Sequence, residues 1–196
     1  MGFLTERCTL RVLTRDILAS CKPFVCGNAD LDDYFSNDAL LYQEQLLGKT
    51  YCYLLDEDLS VIVCAFTLSN DSVRVDHLPG SRKRKVNSSI PYPKHLRRYP
   101  AVLIGRLGVN VDYAAKGVGS ELMDILKMWL ILPDNKAACR FLAVDSYNTV
   151  QTVHYYRKNG FEFLFSTEEQ EAQNSGIELP LRTRYMYYDL IGVANS

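Results

Sequence analysis

The chain has 196 residues and a nearly balanced charge, with 22 Lys and Arg against 23 Asp and Glu. Hydrophobic residues make up 47% of it, enough for one substantial core, so we expect a single domain over residues 1–196. The sequence contains no apolar run long enough to cross a membrane and no signal peptide, so we expect a cytoplasmic protein without a membrane partner.

The first predicted elements are a strand and a long helix. Residues 9–13 alternate between polar and apolar side chains, as a half-buried strand does. Asn28 or Asp30 is placed to cap a helix from about Leu31 to Leu47, which carries a broad apolar face. We expect Gly48 to end this helix.

A β-hairpin is predicted next. Two strand-like runs, 51–55 and 59–68, flank the acidic turn 56–58. Cys52 and Cys64 fall in these runs, so we expect both to be buried free thiols. The six cysteines show no C-x-x-C spacing and the three histidines are scattered, a pattern that predicts neither a disulfide framework nor a metal site.

A long polar segment from Asn70 to Pro100 follows the hairpin. It contains a basic run over residues 82–98 without an acidic residue, made of Arg82, Lys83, Arg84, Lys85, Lys94, Arg97 and Arg98. Such a run is typical of a solvated loop, and it also suits the phosphates of an RNA.

The second half of the chain predicts alternating strands and helices. An apolar strand at 101–111 leads through a small-residue turn into a helix at about 117–132, which Pro133 ends. The remaining predicted elements are a strand at 139–144, a helix at about 150–158 ended by Asn159-Gly160, a strand at 161–165 and a last strand at 184–191. Residues 166–180 predict a long loop, with one helical turn as the alternative.

The strand, turn and helix over residues 103–123 predict an anion site. A Gly-rich turn that opens a helix directs backbone N–H groups and the helix dipole at one point, and phosphate is the usual ligand there. A nucleotide P-loop needs Gly-Lys-Ser/Thr, whereas here Lys116 precedes Gly117, and the dinucleotide fingerprint G-x-G-x-x-G is absent. The simpler alternative is an ordinary Gly-rich turn.

This turn resembles the acetyl-CoA pyrophosphate loop of the GNAT (N-acetyltransferase) superfamily, Gln/Arg-x-x-Gly-x-Gly/Ala after a Leu-x-Val strand. Leu107-Gly108-Val109 matches the strand, and Gly117 and Gly119 match the two glycines. Ala114 stands where the family usually has Arg or Gln, and Ala115 where Gly is common, so backbone N–H groups and one lysine are left to hold the pyrophosphate. The resemblance implies a cofactor-binding set of Leu107, Gly108, Val109, Ala114, Ala115, Lys116, Gly117, Val118, Gly119, Ser120 and Asn148.

A second motif, Tyr156 to Phe161, matches the Tyr-x-x-x-Gly-Phe that often ends the second core helix of GNAT proteins. In the family this tyrosine protonates the thiolate of CoA, so the resemblance implies that Tyr156 is the general acid. The alternative is a core aromatic, which we expect of Tyr155. As a general base, Asp145 and Glu121 are candidates by proximity in sequence only, and each is more typical of a surface or capping carboxylate.

The predicted order of elements, β-α-β-β-β-α-β-α-β-β, matches the GNAT fold from residue 9 to residue 191. The resemblance therefore implies an α/β (α+β) architecture: a central mixed sheet of six or seven strands with helices on both faces. It also implies a V-shaped splay between the strand at 101–111 and the next one, which admits the pantetheine arm of acetyl-CoA.

Residues 24–35 resemble the F-x-C-G-x-x-x-L-D-x-W/Y-L start of toxin-type GNAT proteins, which acetylate the α-amine of aminoacyl-tRNA and are neutralised by a small antitoxin. The resemblance implies an N-acetyltransferase with acetyl-CoA as co-substrate and no metal, with tRNA bound through 82–98, an antitoxin partner and a homodimer. Two alternatives stay open: acetylation of a small-molecule or protein amine, and a catalytically idle acetyl-CoA-binding or partner-binding module, which Ala114 and Ala115 suggest.

Overall fold

The computed structural model describes residues 2–93 and 96–195, and the strands of this part form one seven-stranded sheet with the order β1-β2-β3-β4-β5-β7-β6. Helices surround the sheet. The chain divides into two compact units. Unit 1 comprises residues 1–69 and 104–128, and unit 2 comprises residues 70–103 and 129–196. A single domain over 1–196 stays a prediction.

The strands are β1 (Cys8–Val12), β2 (Lys49–Leu55), β3 (Asp58–Arg74), β4 (Arg98–Val109), β5 (Phe141–Tyr147), β6 (Glu162–Phe163) and β7 (Thr183–Asp189). The helices are α1 (Phe3–Arg7), α2 (Arg15–Ser20), α3 (Ala29–Asp33), α4 (Ala39–Glu44), α5 (Gly80–Asn87), α6 (Val118–Ile131), α7 (Val150–Lys158), α8 (Glu168–Ser175) and α9 (Ile191–Ala194). A π-helical turn, Tyr34–Asp38, joins α3 to α4, and a 3₁₀ turn, Val111–Tyr113, precedes α6. Among the described residues no helix has both the length and the apolarity needed to cross a bilayer.

Unit 1 contains the predicted first strand and hairpin. β1 pairs antiparallel with β2, and β2 pairs antiparallel with β3. Cys52 and Cys64 are fully buried, as predicted. The apolar faces of the strands and of α3 and α4 form one core around Phe24, Phe35 and Ile62.

The long helix of unit 1 begins where the sequence predicts but ends differently. The Asn28 side chain accepts a hydrogen bond from the Leu31 N–H (3.2 Å) and so caps α3. The prediction that Gly48 ends the helix is wrong. α4 ends at Glu44, the Gln45 N–H makes the last i→i−4 bond to the Leu41 carbonyl (3.1 Å), and Leu46 takes a left-handed conformation with φ 58°. Gly48 lies beside β3 instead, where a Cβ would come within 2.8 Å of a methyl group of Thr67.

Unit 2 contains more regular structure than the sequence predicts. The segment from Asn70 to Pro100 is not a continuous loop, because β3 runs on to Arg74, α5 covers Gly80–Asn87 and β4 begins at Arg98. The reason is that Val73, Val75, Leu78 and Val86 are buried in the core of this unit, although polar residues separate them in sequence. Lys94 of the basic run lies outside the described residues.

The C-terminal part shows one further difference. Residues 166–180 contain the two-turn helix α8, capped by Thr167, whose side chain accepts from the Gln170 N–H (3.3 Å), and ended by Gly176 with φ 66°. The strand predicted at 161–165 is only two residues long. β7 pairs antiparallel with both β5 and β6.

Candidate active site

The predicted cofactor loop lies in unit 1, between the 3₁₀ turn and α6. Residues Ala114 to Gly117 are exposed, and Val118, the first residue of α6, is buried and anchors the helix. Ala115 and Gly117 both have positive φ, 58° and 86°. An L-residue in this conformation carries roughly 1–2 kcal/mol of strain, which explains why a glycine is common at the position of Ala115 in the family that the loop resembles.

The loop has the chemistry of an anion site. α6 is 14 residues long, and its hydrogen-bond ladder begins with the Glu121 N–H, which donates to the carbonyl of Gly117 (3.0 Å). The N–H groups of the first turn therefore point toward the loop, together with the positive end of the helix dipole. Lys116 adds a positive charge beside the loop. Its Nζ is held there by donating to the Asp112 carbonyl (2.7 Å) and lies 5.7 Å from the centre of the Tyr113 ring.

The strand before the loop is tightly packed at its glycine. A Cβ on Gly108 would lie 3.0 Å from the Cβ of Cys26 and 3.1 Å from the Phe24 ring, so any side chain there would have to displace these neighbours by a few tenths of an ångström. Leu107 and Val109 on either side are half-buried. Their place in the predicted cofactor-binding set stays a prediction, as does the splay between β4 and β5.

Tyr156, the predicted general acid, lies in unit 2 near the end of α7. Its ring is 6% exposed and packs edge-on against Tyr155 (centroids 5.0 Å apart) and Phe161 (5.4 Å). Burial raises the pKa of the Tyr156 phenol well above its usual value, so the hydroxyl keeps its proton at neutral pH. Gly160 has φ 84°, and a Cβ there would come within 2.8 Å of the Tyr188 ring, which accounts for the glycine of the motif.

The other predicted binding residue of unit 2, Asn148, makes structural contacts. Its side-chain amide donates to the Leu181 carbonyl (3.1 Å), and its backbone N–H donates to the Arg182 carbonyl (3.0 Å). The next residue, Thr149, caps α7 by accepting from the Thr152 N–H (3.3 Å). A role for Asn148 in cofactor binding stays a prediction.

The two carboxylates considered as general bases have different surroundings. Glu121 caps α1, because its oxygens accept from the backbone N–H groups of Leu4 and Thr5, both at 3.0 Å. It is therefore the capping carboxylate that its sequence context suggests. Asp145 is exposed on β5 and pairs in register with Tyr185 of β7.

A further carboxylate was not predicted from the sequence. The Tyr185 hydroxyl donates to Oδ2 of Asp71 (2.8 Å), and burial, followed by the charge of Asp71, raises the pKa of this phenol. Asp71 lies in the long polar segment from Asn70 to Pro100. Because its partner Tyr185 is 114 positions away, the local sequence around Asp71 contains no pattern that predicts the hydrogen bond. Among the described residues, no group of three or more His, Cys, Asp and Glu side chains is placed to hold a metal ion.

The basic run is partly structural. Arg82 donates to the carbonyl oxygens of Phe163 and Leu164, and Lys85 pairs with Glu162. The cations that face solvent are Lys83, Arg84, Arg97 and Arg98, together with the half-exposed Lys85. The run therefore presents a helix and the start of a strand to solvent, rather than one flexible loop.

No protein-family model matches the sequence. Several solved structures resemble the whole chain. AtaT complexed with acetyl-methionyl-tRNAfMet has a TM-score of 0.66 and 15% identity, covering 96% of this chain and 98% of that one. AtaTR bound with AcCoA has a TM-score of 0.65 and 16% identity, covering 97% and 98%. A tyrosine-to-phenylalanine variant of KacT has a TM-score of 0.65 and 14% identity, covering 97% and 99%.

The fold is that of the GNAT N-acetyltransferases. The fold predicted from the two sequence motifs is thereby confirmed over almost the entire chain. At this level of identity the likeness concerns the fold, and the roles of the individual residues are taken up as proposals.

Proposed function

We propose that this chain is an acetyl-CoA-dependent N-acetyltransferase that transfers an acetyl group to a primary amine. The observation that carries the proposal is the loop Ala114–Ser120, whose two left-handed residues turn the chain from β4 into the N-terminus of α6. A backbone of this shape offers N–H groups and a helix dipole to a pyrophosphate without needing a side-chain cation. Acetyl-CoA is also the ligand in the structure of AtaTR bound with AcCoA, which shares this fold.

In this proposal Tyr156 is the general acid. The amine would attack the thioester carbonyl, and the C–S bond of the resulting tetrahedral intermediate would break to release a thiolate, which would take the proton of the Tyr156 hydroxyl. The proton that the attacking amine loses would pass to solvent, and the Tyr156 phenolate would regain a proton from solvent, so the cycle balances. Burial supports this role, because it keeps the Tyr156 phenol protonated throughout the neutral range, as a general acid must be. A backbone N–H near Leu107 and Val109 would stabilise the oxyanion of the intermediate.

As the acceptor we propose the α-amine of aminoacyl-tRNA. The cations of the run 82–98 that face solvent support this choice, because RNA phosphates supply sequence-independent affinity for such a surface. AtaT, with the same fold, was solved with acetyl-methionyl-tRNAfMet, and also with the C-terminus of the antitoxin AtaR. The proposal thus includes a cytoplasmic toxin with a small antitoxin as partner and a homodimeric assembly.

Two other functions are kept as alternatives. A small-molecule or protein amine would be acetylated by the same chemistry without a need for the basic run. A catalytically idle acetyl-CoA-binding module is favoured by Ala114, which removes a side-chain contact to the pyrophosphate, and by the strain at Ala115.

Binding of acetyl-CoA separates the proposal from an unrelated function. A ligand at 100 times its Kd stabilises the folded state by about 2.7 kcal/mol, which for a chain of this size corresponds to a rise in Tm of roughly 5–10 °C. Release of the CoA thiol in the presence of aminoacyl-tRNA, deacylated tRNA or a small amine then identifies the acceptor. Thermal stabilisation without thiol release from any amine would favour the idle module.

The loop itself is tested by a matched pair of variants. Gly117 and Gly176 both have positive φ, and within the described residues a Cβ at either position meets no atom within 4 Å. Gly117→Val and Gly176→Val should therefore cost similar stability, but only Gly117→Val should abolish acetyl-CoA binding in isothermal titration, because a side chain there blocks the approach of the pyrophosphate to the backbone. Undiminished affinity of Gly117→Val would exclude this loop as the site.

A further inference from the structure

The segment Phe24–Gly27 is fixed by the carboxylate of Asp32 in α3. Oδ1 of Asp32 accepts a hydrogen bond from the Cys26 N–H at 2.7 Å. Gly27, with φ 84°, then reverses the chain so that Asn28 can cap the same helix. The segment therefore has a defined position relative to α3, although it contains no regular structure itself.

The same segment packs against the residues that lead into the cofactor loop. The Val111 N–H donates to the Val25 carbonyl (2.9 Å). Gly108 approaches Phe24 and Cys26 so closely that a Cβ on Gly108 would lie 3.0–3.1 Å from their side chains. Gly108 and Val111, the two ends of this stretch, are thus both in contact with residues 24–26.

The chain between Gly108 and Val111 is also held from the side of β3. The backbone N–H of Asn110 donates to the Val63 carbonyl (2.9 Å), and the Asn110 side-chain amide donates to the Ile62 carbonyl (3.1 Å). Oδ1 of Asn110 accepts from the Asp112 N–H (3.0 Å) and so starts the 3₁₀ turn. The exposed loop begins two residues after Asp112, so its position follows from how residues 108–112 are held.

We propose that residues 24–27 position the acetyl-CoA loop and that Asp32 is the positioning residue that holds this segment in place. The inference rests on the proposed function, since it takes Ala114–Ser120 as the acetyl-CoA site. Asp32 does not contact the cofactor in this scheme. It acts through Cys26 and the Val25–Val111 hydrogen bond, which transmit its position to the start of the loop.

Three variants test the role of Asp32. Asp32→Ala removes the acceptor for the Cys26 N–H, whereas Asp32→Asn keeps a carbonyl oxygen in the same place. Asp33→Ala is the matched control, because it removes an equal charge from the same helix and breaks a bond to Asn37 (2.7 Å) that does not reach the loop. We expect Asp32→Ala to raise the Kd for acetyl-CoA roughly fivefold, the effect of one net hydrogen bond, and the other two variants to bind as the unaltered protein does.

Isothermal titration well below Tm, with Tm measured in parallel, distinguishes positioning from general destabilisation. A fall in Tm with unchanged Kd in Asp32→Ala would overturn the inference, and so would equal losses of affinity in Asp32→Ala and Asp32→Asn. If the unaltered chain does not bind acetyl-CoA, the proposed function itself fails, which is a separate outcome.

A second pair of variants keeps the test decisive if Asp32→Ala does not fold. Gly108→Ala places a methyl group against Cys26 and the Phe24 ring, and Cys26→Gly removes the Cys26 part of this contact. We expect Gly108→Ala to weaken acetyl-CoA binding and the double variant to recover part of the affinity, because the two positions act as one contact. Strictly additive effects on the Kd would overturn the proposed coupling.

Discussion

Two neighbouring alanines in the cofactor loop have opposite backbone conformations. Ala114 has φ −62° and ψ 152°, an extended conformation that any residue adopts, whereas Ala115 has φ 58°. The sequence shows only that both positions differ from the pattern of the GNAT family. The conformations separate a lost side-chain contact at Ala114 from a local strain at Ala115, and they predict different consequences of substitution.

Replacing each alanine with glycine should therefore change stability in opposite directions. Ala115→Gly relieves about 1–2 kcal/mol of strain and adds about 0.4–1 kcal/mol of unfolded-state entropy, so we expect a net gain of roughly 0.5–1 kcal/mol. Ala114→Gly has only the entropic effect and should lose about 0.4–1 kcal/mol. Urea unfolding of both variants checks this. Changes of the same sign would contradict the backbone conformation described for the loop.

The role of Tyr156 is tested by removing its hydroxyl alone. Tyr156→Phe should lower kcat by roughly 10²-fold with little change in acetyl-CoA affinity, since the ring and its packing are kept. Tyr155→Phe, one residue earlier on α7, should change kcat far less. Equal losses in the two variants would contradict the assignment of the general acid to Tyr156.

The raised pKa of Tyr156 also predicts a pH dependence. The phenol is active when protonated, and its pKa in the folded protein lies above the usual value of about 10, so its ionisation should not lower kcat below about pH 10. Because the folded state holds this proton more tightly than the unfolded state, the contribution to stability is present below about pH 10 and is lost as the pH rises further. A loss of kcat near neutral pH that disappears in Tyr156→Phe would contradict this.

At the scale of elements, long periodic segments were predictable and short ones were not. The helices at 118–131 and 150–158 follow from their apolar spacing, and Gly160 ends the second one as its sequence suggests. α1 and α2, of five and six residues, are too short to show a period. For α8 the sequence allowed one helical turn at most, because the buried acid Glu171 has the sequence context of a solvated residue until its partner is known.

Glu171 joins α8 to β7. Its Oε2 accepts from the Arg184 Nε and its Oε1 from the Tyr185 N–H, both at 2.5 Å, and both charged side chains of the ion pair are less than 10% exposed. Glu171→Ala leaves a buried guanidinium without its carboxylate, so we expect a loss of about 3–5 kcal/mol in the free energy of unfolding. The exposed Glu178, which follows α8, provides the control. Glu178→Ala should change stability by less than about 0.5 kcal/mol in the same urea titration.

At the scale of the whole molecule, the sequence motifs predicted the fold, while the long-range contacts of the candidate site were not accessible. Gly160 and Gly117 are needed for backbone reasons that a motif already encodes. The hydrogen bond from Tyr185 to Asp71 joins segments that are far apart in sequence, and the bond from the Cys26 N–H to Asp32 depends on how the chain turns between them. Neither residue type nor local spacing indicates these two contacts.

The proposed tRNA acceptor is tested on cations that carry no structural contact to the core. The double variant Lys83→Glu with Arg84→Glu should weaken aminoacyl-tRNA binding and reduce the slope of log K against log salt by roughly 1.4–1.8, the contribution of two phosphate contacts. Arg82 is left unaltered because it donates to the carbonyls of Phe163 and Leu164.

Filter binding over a salt series measures both quantities. A double variant of the exposed Lys136 and Lys158, each to Glu, changes the net charge equally outside the basic run and should retain the slope. Transfer to a small amine should be unaffected in either variant. A salt-independent affinity of the unaltered protein for tRNA would exclude the proposed acceptor and leave a small-molecule or protein amine.

The cysteines make the opening of each unit separately measurable. Cys8, Cys21, Cys26, Cys52 and Cys64 belong to unit 1 and Cys139 to unit 2, and all six are free. Burial raises the pKa of Cys52 to about 12 and that of Cys64 further, so neither thiol reacts with an alkylating reagent until unit 1 opens. Cys139 of unit 2 is only partly buried, and burial raises the pKa of its thiol, whose Sγ donates to the Phe141 carbonyl (3.1 Å), so its rate of alkylation reports on unit 2. Mass spectrometry of alkylated peptides with and without acetyl-CoA would therefore follow the opening of each unit separately, with no cysteine introduced into the chain.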